Sequence, residues 1–216
     1  MISEPLDDWS RTVALLENAL ASELPGTDAQ AAMAPVPRRG WRPGELPDVM
    51  REAAVLVLVY PVDGRPTFVL TRRTETVDHH RGQVSLPGGS VDPGEDAEAC
   101  ALRECHEELG VDPGPIRVIG RMTPLHIPVS GFLVQPVVAT LGGRPDFRAH
   151  AAEVASVHEV SLSSLVDPAR ERHDRVRDET GGFWKDVPWF ELDGLRVWGA
   201  TAMMLAELRA VLAAST

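Results

Sequence analysis

Cysteine is scarce in this chain: two in 216 residues, Cys100 and Cys105. They stand five positions apart in a segment of helical periodicity, which turns them about 140° from one another, so they cannot pair with each other. With so little cysteine and no secretory signal, a reducing cytoplasm is the expected setting. Long apolar runs are missing as well. The first apolar cluster, at residues 13–16, gives way at once to Glu17 and Asn18. Nowhere do the roughly 18 consecutive apolar residues of a membrane span occur, so no membrane partner is expected. Positive charge is short: Lys and Arg number 21 against 32 Asp and Glu, for a net charge of −11 and a pI near 5.1. That balance argues against nucleic acid as a partner, because binding a phosphate backbone requires a basic surface. A phosphate here has to be met locally, by metal ions and a few arginines. No internal repeat is present, and 44% hydrophobic content over this length suits a single core.

What the chain does have is acid concentrated in one place. From residue 89 to residue 111 it reads GSVDPGEDAEACALRECHEELGV. Glu104, Glu107 and Glu108 are related by i, i+3 and i+4, which puts three carboxylates on about one-third of a helix circumference. Like charges at these spacings destabilise a bare helix by a few tenths of a kcal/mol each, and only Arg103 is nearby to offset them. A hard cation such as Mg2+ or Mn2+ prefers carboxylate oxygens and keeps several waters that a substrate phosphate can replace. The cluster therefore reads as a metal site. Leu102, Cys105 and Leu109, at i, i+3 and i+7, form a separate stripe of the kind that packs on a core. Pro87, Gly88 and Gly89 lead into the segment, Asp92, Pro93 and Gly94 form a turn, and Gly110 supplies a left-handed stop. Gly88 and Gly89 also let the backbone approach a ligand, and the Gly89 carbonyl is a further candidate oxygen ligand.

Around this segment the pattern divides into residues 1–48, an N-terminal helix and linker, and residues 49–216, the folded domain. Residues 5–24 carry Trp9, Val13, Leu16 and Leu20 at helical spacing. Residues 25–48 are rich in proline, glycine and alanine, as suits a linker or an irregular wrap over the surface. Their Arg38, Arg39 and Arg42 could reach a phosphate, although most surface arginine clusters are simply solvated. Strands are expected at residues 53–60 and 67–71 about an Asp63-Gly64 turn, then at residues 83–86, 116–122 and 132–141. Residues 155–165 read as a strand running into a short helix, residues 184–198 as a hairpin turning at Asp193-Gly194, and residues 200–212 as a final helix. The expectation is an α/β fold, a mixed sheet with helices on both faces.

Gly89, Glu95, Arg103, Glu104, Glu107, Glu108 and Gly110 occupy the frame G-x5-E-x7-R-E-U-x-E-E-x-G-U, with U an aliphatic residue, and this resembles the Nudix box. Residues 70–89, LTRRTETVDHHRGQVSLPGG, are similar to the extended signature of the coenzyme A pyrophosphatase branch of Nudix hydrolases. Thr71, Arg73, His80, Gly82, Gln83, Val84, Pro87, Gly88 and Gly89 match it, while Asp78 stands where that branch carries arginine. Ser130-Gly131-Phe132, Gln135-Pro136-Val137-Val138 and Trp198-Gly199-Ala200-Thr201-Ala202 resemble further segments, so the likeness covers residues 53–212. It implies a Nudix-type α/β/α sandwich, Mg2+ or Mn2+ as cofactor, and a small-molecule diphosphate substrate. Coenzyme A or an acyl-coenzyme A would be cleaved to 3′,5′-ADP and (acyl-)4′-phosphopantetheine. Another nucleoside diphosphate compound, such as an ADP-sugar, a dinucleotide or an oxidised nucleotide, is the near rival. A non-catalytic nucleotide-binding module is the rival from another class, and the intact set of box carboxylates speaks against it.

On this reading Glu104, Glu107, Glu108 and Gly89 hold metal, and the resemblance gives Arg103 and Glu95 supporting roles. The general base is either Glu104 or Glu153, the latter in a segment similar to a family E-V pair; a carboxylate within reach of the attacking water is what the chemistry requires. Arg72, Arg73, His80 and Gln83 are the candidate substrate contacts. Trp184, Trp189 and Trp198 are assigned to core or homodimer packing rather than to an adenine platform.

Overall fold

Strand β1, Arg51–Val62, is apolar along most of its length because both of its faces are covered. Its side chains alternate between two hydrophobic clusters: Ala53, Val57 and Val59 enter one, while Ala54, Leu56, Leu58 and Tyr60 enter the other. The computed structural model describes residues 6–74, 82–177 and 184–213. Within them β1 is flanked by β2, Arg65–Arg73, antiparallel across the Asp63-Gly64 turn, and by β7, Phe132–Thr140, in parallel register with Ala53 opposite Val134 and Val57 opposite Val138. The main sheet runs β3-β2-β1-β7-β5, with β3 at Val84–Ser85 and β5 at Arg117–Arg121. Three further strands join it: β4, Gly88–Ser90, on β1; β6, Leu125–Ile127, on β7; and β8, Val154–Ser161, on β2.

Helix α3, Ala97–Leu109, covers one face of this sheet and buries Cys100, Ala101, Cys105 and Leu109 against the second cluster. The other face carries α1, Trp9–Leu20, the short α4, Leu162–Val166, and α5, Gly199–Ala213. A second sheet, β9 to β11 (Glu171–Arg177, Trp184–Leu192 and Leu195–Trp198), is ordered β11-β10-β9 and packs on α5. The result is the α/β/α sandwich with a mixed sheet that the pattern implied. Among the described residues no helix is long and apolar enough to cross a membrane.

Five elements depart from the sequence reading. Helix α2, Gly26–Ala31, lies in the stretch read as linker; it packs on α5 with Gln30 buried, and Met33 and Ala34 just after it are buried as well. Six residues are too few to show a helical period. Gly88 and Gly89 form strand rather than loop, pairing with Val55 and Ala54. Glycine carries no strand signal, and its absent side chain is what permits the pairing: a Cβ on Gly88 would collide with the Ala54 carbonyl. β6 is only three residues long, and β9, ERHDRVR, has Val176 as its only apolar residue and exists as the partner of β10. Helix α1 is also shorter than residues 5–24, because Asp8 caps it by accepting from the Arg11 N–H at 2.8 Å.

Candidate active site

Helix α3 is built to present its acidic residues at a fixed angle. Asp96 caps its start, accepting from the Ala99 N–H at 2.9 Å, and Gly110 ends it at φ 69°, donating to the His106 carbonyl. With the apolar stripe pinned to the sheet, the three glutamates grade from solvent inward. Glu107 is exposed at 55% of its side chain, Glu104 at 16% and Glu108 at 4%.

Arg103 organises the exposed part of this group with all five of its N–H donors. Nε and Nη2 fork onto Glu95 at 2.9 and 3.0 Å, Nη1 reaches Glu104 at 2.8 Å and Glu107 at 3.1 Å, and Nη2 also donates to the Ser90 carbonyl at 3.1 Å. The Arg103 hydrogen bond, with help from the Asp92 N–H, holds the Glu95 carboxyl down at about 2. Glu104 lies so close to β4 that a Cβ at Gly89 would land on its carboxylate. The Gly89 carbonyl faces the Cys100 thiol at 3.6 Å.

Glu108 differs from its neighbours. Its Oε1 meets Arg73 Nη1 at 3.4 Å, while Oε2 is buried with no hydrogen-bond partner. Burial pushes its carboxyl up to about 7; Arg73 and, more weakly, the Gly88 N–H oppose this, and the nearby Glu104 and Glu153 add to it. Burial also raises Glu104, against the hydrogen bond from Arg103 and with the help of Glu107 and Glu153.

Glu153 arrives from 45 residues downstream of Glu108, and the backbone brings it. The last carbonyls of α3 have no partners within the helix. Here the Glu108 carbonyl accepts the His150 N–H at 2.8 Å and the Leu109 carbonyl accepts the Arg148 N–H at 2.7 Å. The segment then folds back, with the Glu153 N–H on the His150 carbonyl at 2.9 Å, and Thr74 ties it to the end of β2 through the Glu153 and Ala152 carbonyls. His150 Nδ1 lies 3.3 Å from Glu153 Oε1. No residue-type signal marked His150, because its anchoring bond is made by the main chain.

Glu95, Arg103, Glu104, Glu107, Glu108, Gly89, Arg73 and Glu153 thus come together. Gln83 lies beside them through its carbonyl, which accepts the Arg73 N–H at 3.0 Å. Arg72 does not join the group. It lies across from Ser156 and near His158 on β8, and the β2–β8 register shifts between Arg72 and Arg73. His80, with Asp78 and His79, lies outside the described residues. Arg38 stacks on Trp41 and Arg42 pairs with Glu45. Trp184, Trp189 and Trp198 belong to the second sheet, where Arg175 and Arg177 flank Trp184.

The residues fit a hard divalent cation. The donors are carboxylate oxygens, one of them buried and unpartnered, and β4 approaches them as closely as glycine allows. Among the described residues no three acidic, histidine or cysteine side chains converge tightly enough to enclose an ion.

Comparison with known proteins shows the family. Residues 50–195 match the family model described as the NUDIX domain. The chain is 37% identical over 161 residues to the uncharacterized Nudix hydrolase NudL of Citrobacter koseri, covering 73% of this chain and 81% of that one. To the NudL of Photorhabdus laumondii it is 34% identical over 167 residues, covering 77% and 87%. Among solved structures, the Nudix hydrolase RenU of M. smegmatis is similar in fold, with a TM-score of 0.52 at 20% identity over 76% of this chain and 86% of that one.

Proposed function

The chain belongs to the Nudix hydrolase family and is an enzyme, a Nudix diphosphatase; from that premise we propose that it hydrolyses coenzyme A or an acyl-coenzyme A to 3′,5′-ADP and (acyl-)4′-phosphopantetheine. The observation that carries this reading is the contact of Arg73 with Glu108 at 3.4 Å. It joins the 70–89 stretch, similar to the coenzyme A signature, to the carboxylates of α3. Nudix hydrolases generally need divalent metal ions; here Glu104, Glu107 and Glu108, with a main-chain carbonyl at Gly89, would hold Mg2+ or Mn2+. Such an ion, when bound, polarises phosphate oxygens and lowers the pKa of water.

The chain's own groups then divide the remaining work. Arg103, fixed by Glu95, keeps Glu104 and Glu107 in place. Glu153 is the general base: Arg103 engages Glu104, whereas Glu153 makes no bond to an arginine among the described residues, and it lies within electrostatic reach of Glu104 and Glu108. It takes a proton from the attacking water as the phosphorus–oxygen bridge breaks. Arg73 meets the diphosphate, with Gln83 and His80 beside it by resemblance. Two buried free cysteines accord with a reducing cytoplasm.

The test is turnover with Mg2+ or Mn2+ on coenzyme A, acetyl-coenzyme A, ADP-ribose and a diadenosine polyphosphate, with products resolved by chromatography. Coenzyme A compounds should lead in kcat/KM by about tenfold or more. Asp78, acidic where the resembling branch is basic, favours the second reading, another nucleoside diphosphate compound. A preference for ADP-ribose or the dinucleotide would replace the first reading with it.

A further inference from the structure

We propose that His150 is a positioning residue that aims the Glu153 carboxylate at the attacking water; this rests on the reading of Glu153 as general base. Two features of the fold fix the backbone that carries the imidazole. Its own N–H is bound to the Glu108 carbonyl, at the end of the helix that carries the box glutamates. Its carbonyl receives both the Glu153 and the Val154 N–H at 2.9 Å, closing a tight turn that returns Glu153 toward α3. The backbone of His150 is therefore tied to α3. Its Nδ1, protonated in the matching tautomer, donates to Glu153 Oε1 across 3.3 Å.

The bond is needed because Glu153 would otherwise be free to swing. Its side chain is 43% exposed and lies near two other carboxylates, Glu104 and Glu108, which repel it toward solvent. A glutamate has three rotatable side-chain bonds and loses rotamer entropy when held. One hydrogen bond to a residue whose backbone is anchored on the neighbouring helix opposes both effects and leaves Oε2 for the water. The bond is solvent-accessible, with His150 57% exposed, so the expected effect is modest: removal should lower kcat about three- to tenfold. KM should change little, because the substrate is held by other groups.

The experiment is a double-mutant cycle in the full-length protein, using coenzyme A, or ADP-ribose if that is the better substrate. His150→Ala should lower kcat with KM within about twofold, His150→Asn should restore most of the loss through its side-chain N–H donor, and the melting temperature should stay close to wild type. In a Glu153→Gln background, His150→Ala should have no further effect on kcat. An unchanged kcat in His150→Ala, or an equal loss in both backgrounds, would overturn the inference. Wild-type turnover in Glu153→Gln would instead remove Glu153 as the base, a failure of the underlying reading that the cycle separates from failure of the His150 role.

Discussion

Glu108 is held in a state that opposes folding. Its carboxylate has a buried oxygen with no partner, and burial pushes its titration up to about 7 from an ordinary 4.5. A carboxyl raised in the fold favours the folded state most below its ordinary value, and that advantage is lost as pH rises toward 7, where the folded protein holds an ill-solvated charge. Glu108→Gln keeps the volume and removes the charge. Metal-free Glu108→Gln should therefore melt higher than wild type at pH 8, by about 1–3 kcal/mol of stability, and the difference should vanish near pH 4. Its turnover should fall by orders of magnitude. Equal melting at pH 8 would mean that the wild-type carboxylate is solvated. The three glutamates were legible from their spacing alone. Their grading from exposed Glu107 to buried Glu108 was not, because it depends on how α3 is rotated against the sheet.

The carboxyl end of α3 is the element that joins the box to the rest of the site. Gly110 takes a φ of 69°, and a Cβ there would stand 2.8 Å from the Cβ of Arg148. Gly110→Ala should cost about 1–2 kcal/mol for the left-handed backbone, and more for the collision. Because the displaced segment carries Glu153, kcat should fall while KM changes little. Gly194→Ala is the control: its φ is 78° with nothing near the added Cβ, so it should lose comparable stability and keep wild-type kcat. If both variants lose only stability, the docked segment does not serve catalysis. The glycine stop was readable in the sequence as a left-handed cap. What the cap delivers was hidden, since the bonds from Arg148 and His150 use main-chain N–H groups that nearly every residue possesses.

Across the whole molecule, the N-terminal stretch shares the core of the sheet. Leu6, Leu16 and Met33 lie in one cluster with Phe68, Val57 and Leu205, and buried Gln30 donates to buried Glu207 of α5 at 3.0 Å. Each such apolar side chain contributes about 2 kcal/mol, so three approach the net stability of a typical domain, about 5–15 kcal/mol. A protein lacking residues 1–34 should lose its cooperative thermal transition in near-UV circular dichroism. A sharp melt at the wild-type temperature would show that these helices merely rest on the surface. The sequence alone determined what depends on neighbours a few positions apart: the helical acidic edge, the apolar stripe of α3, the alternating strands and their turns. Hydrophobic periodicity and glycine conformation act locally, so they are written locally. Only the tertiary structure decided that Arg73 reaches Glu108 while Arg72 lies beside β8, that a proline-rich stretch holds a helix packed on α5, and that Glu153 comes within electrostatic reach of Glu104 and Glu108. Those outcomes depend on sheet register, shared burial and main-chain hydrogen bonds between distant segments, and no residue type announces them.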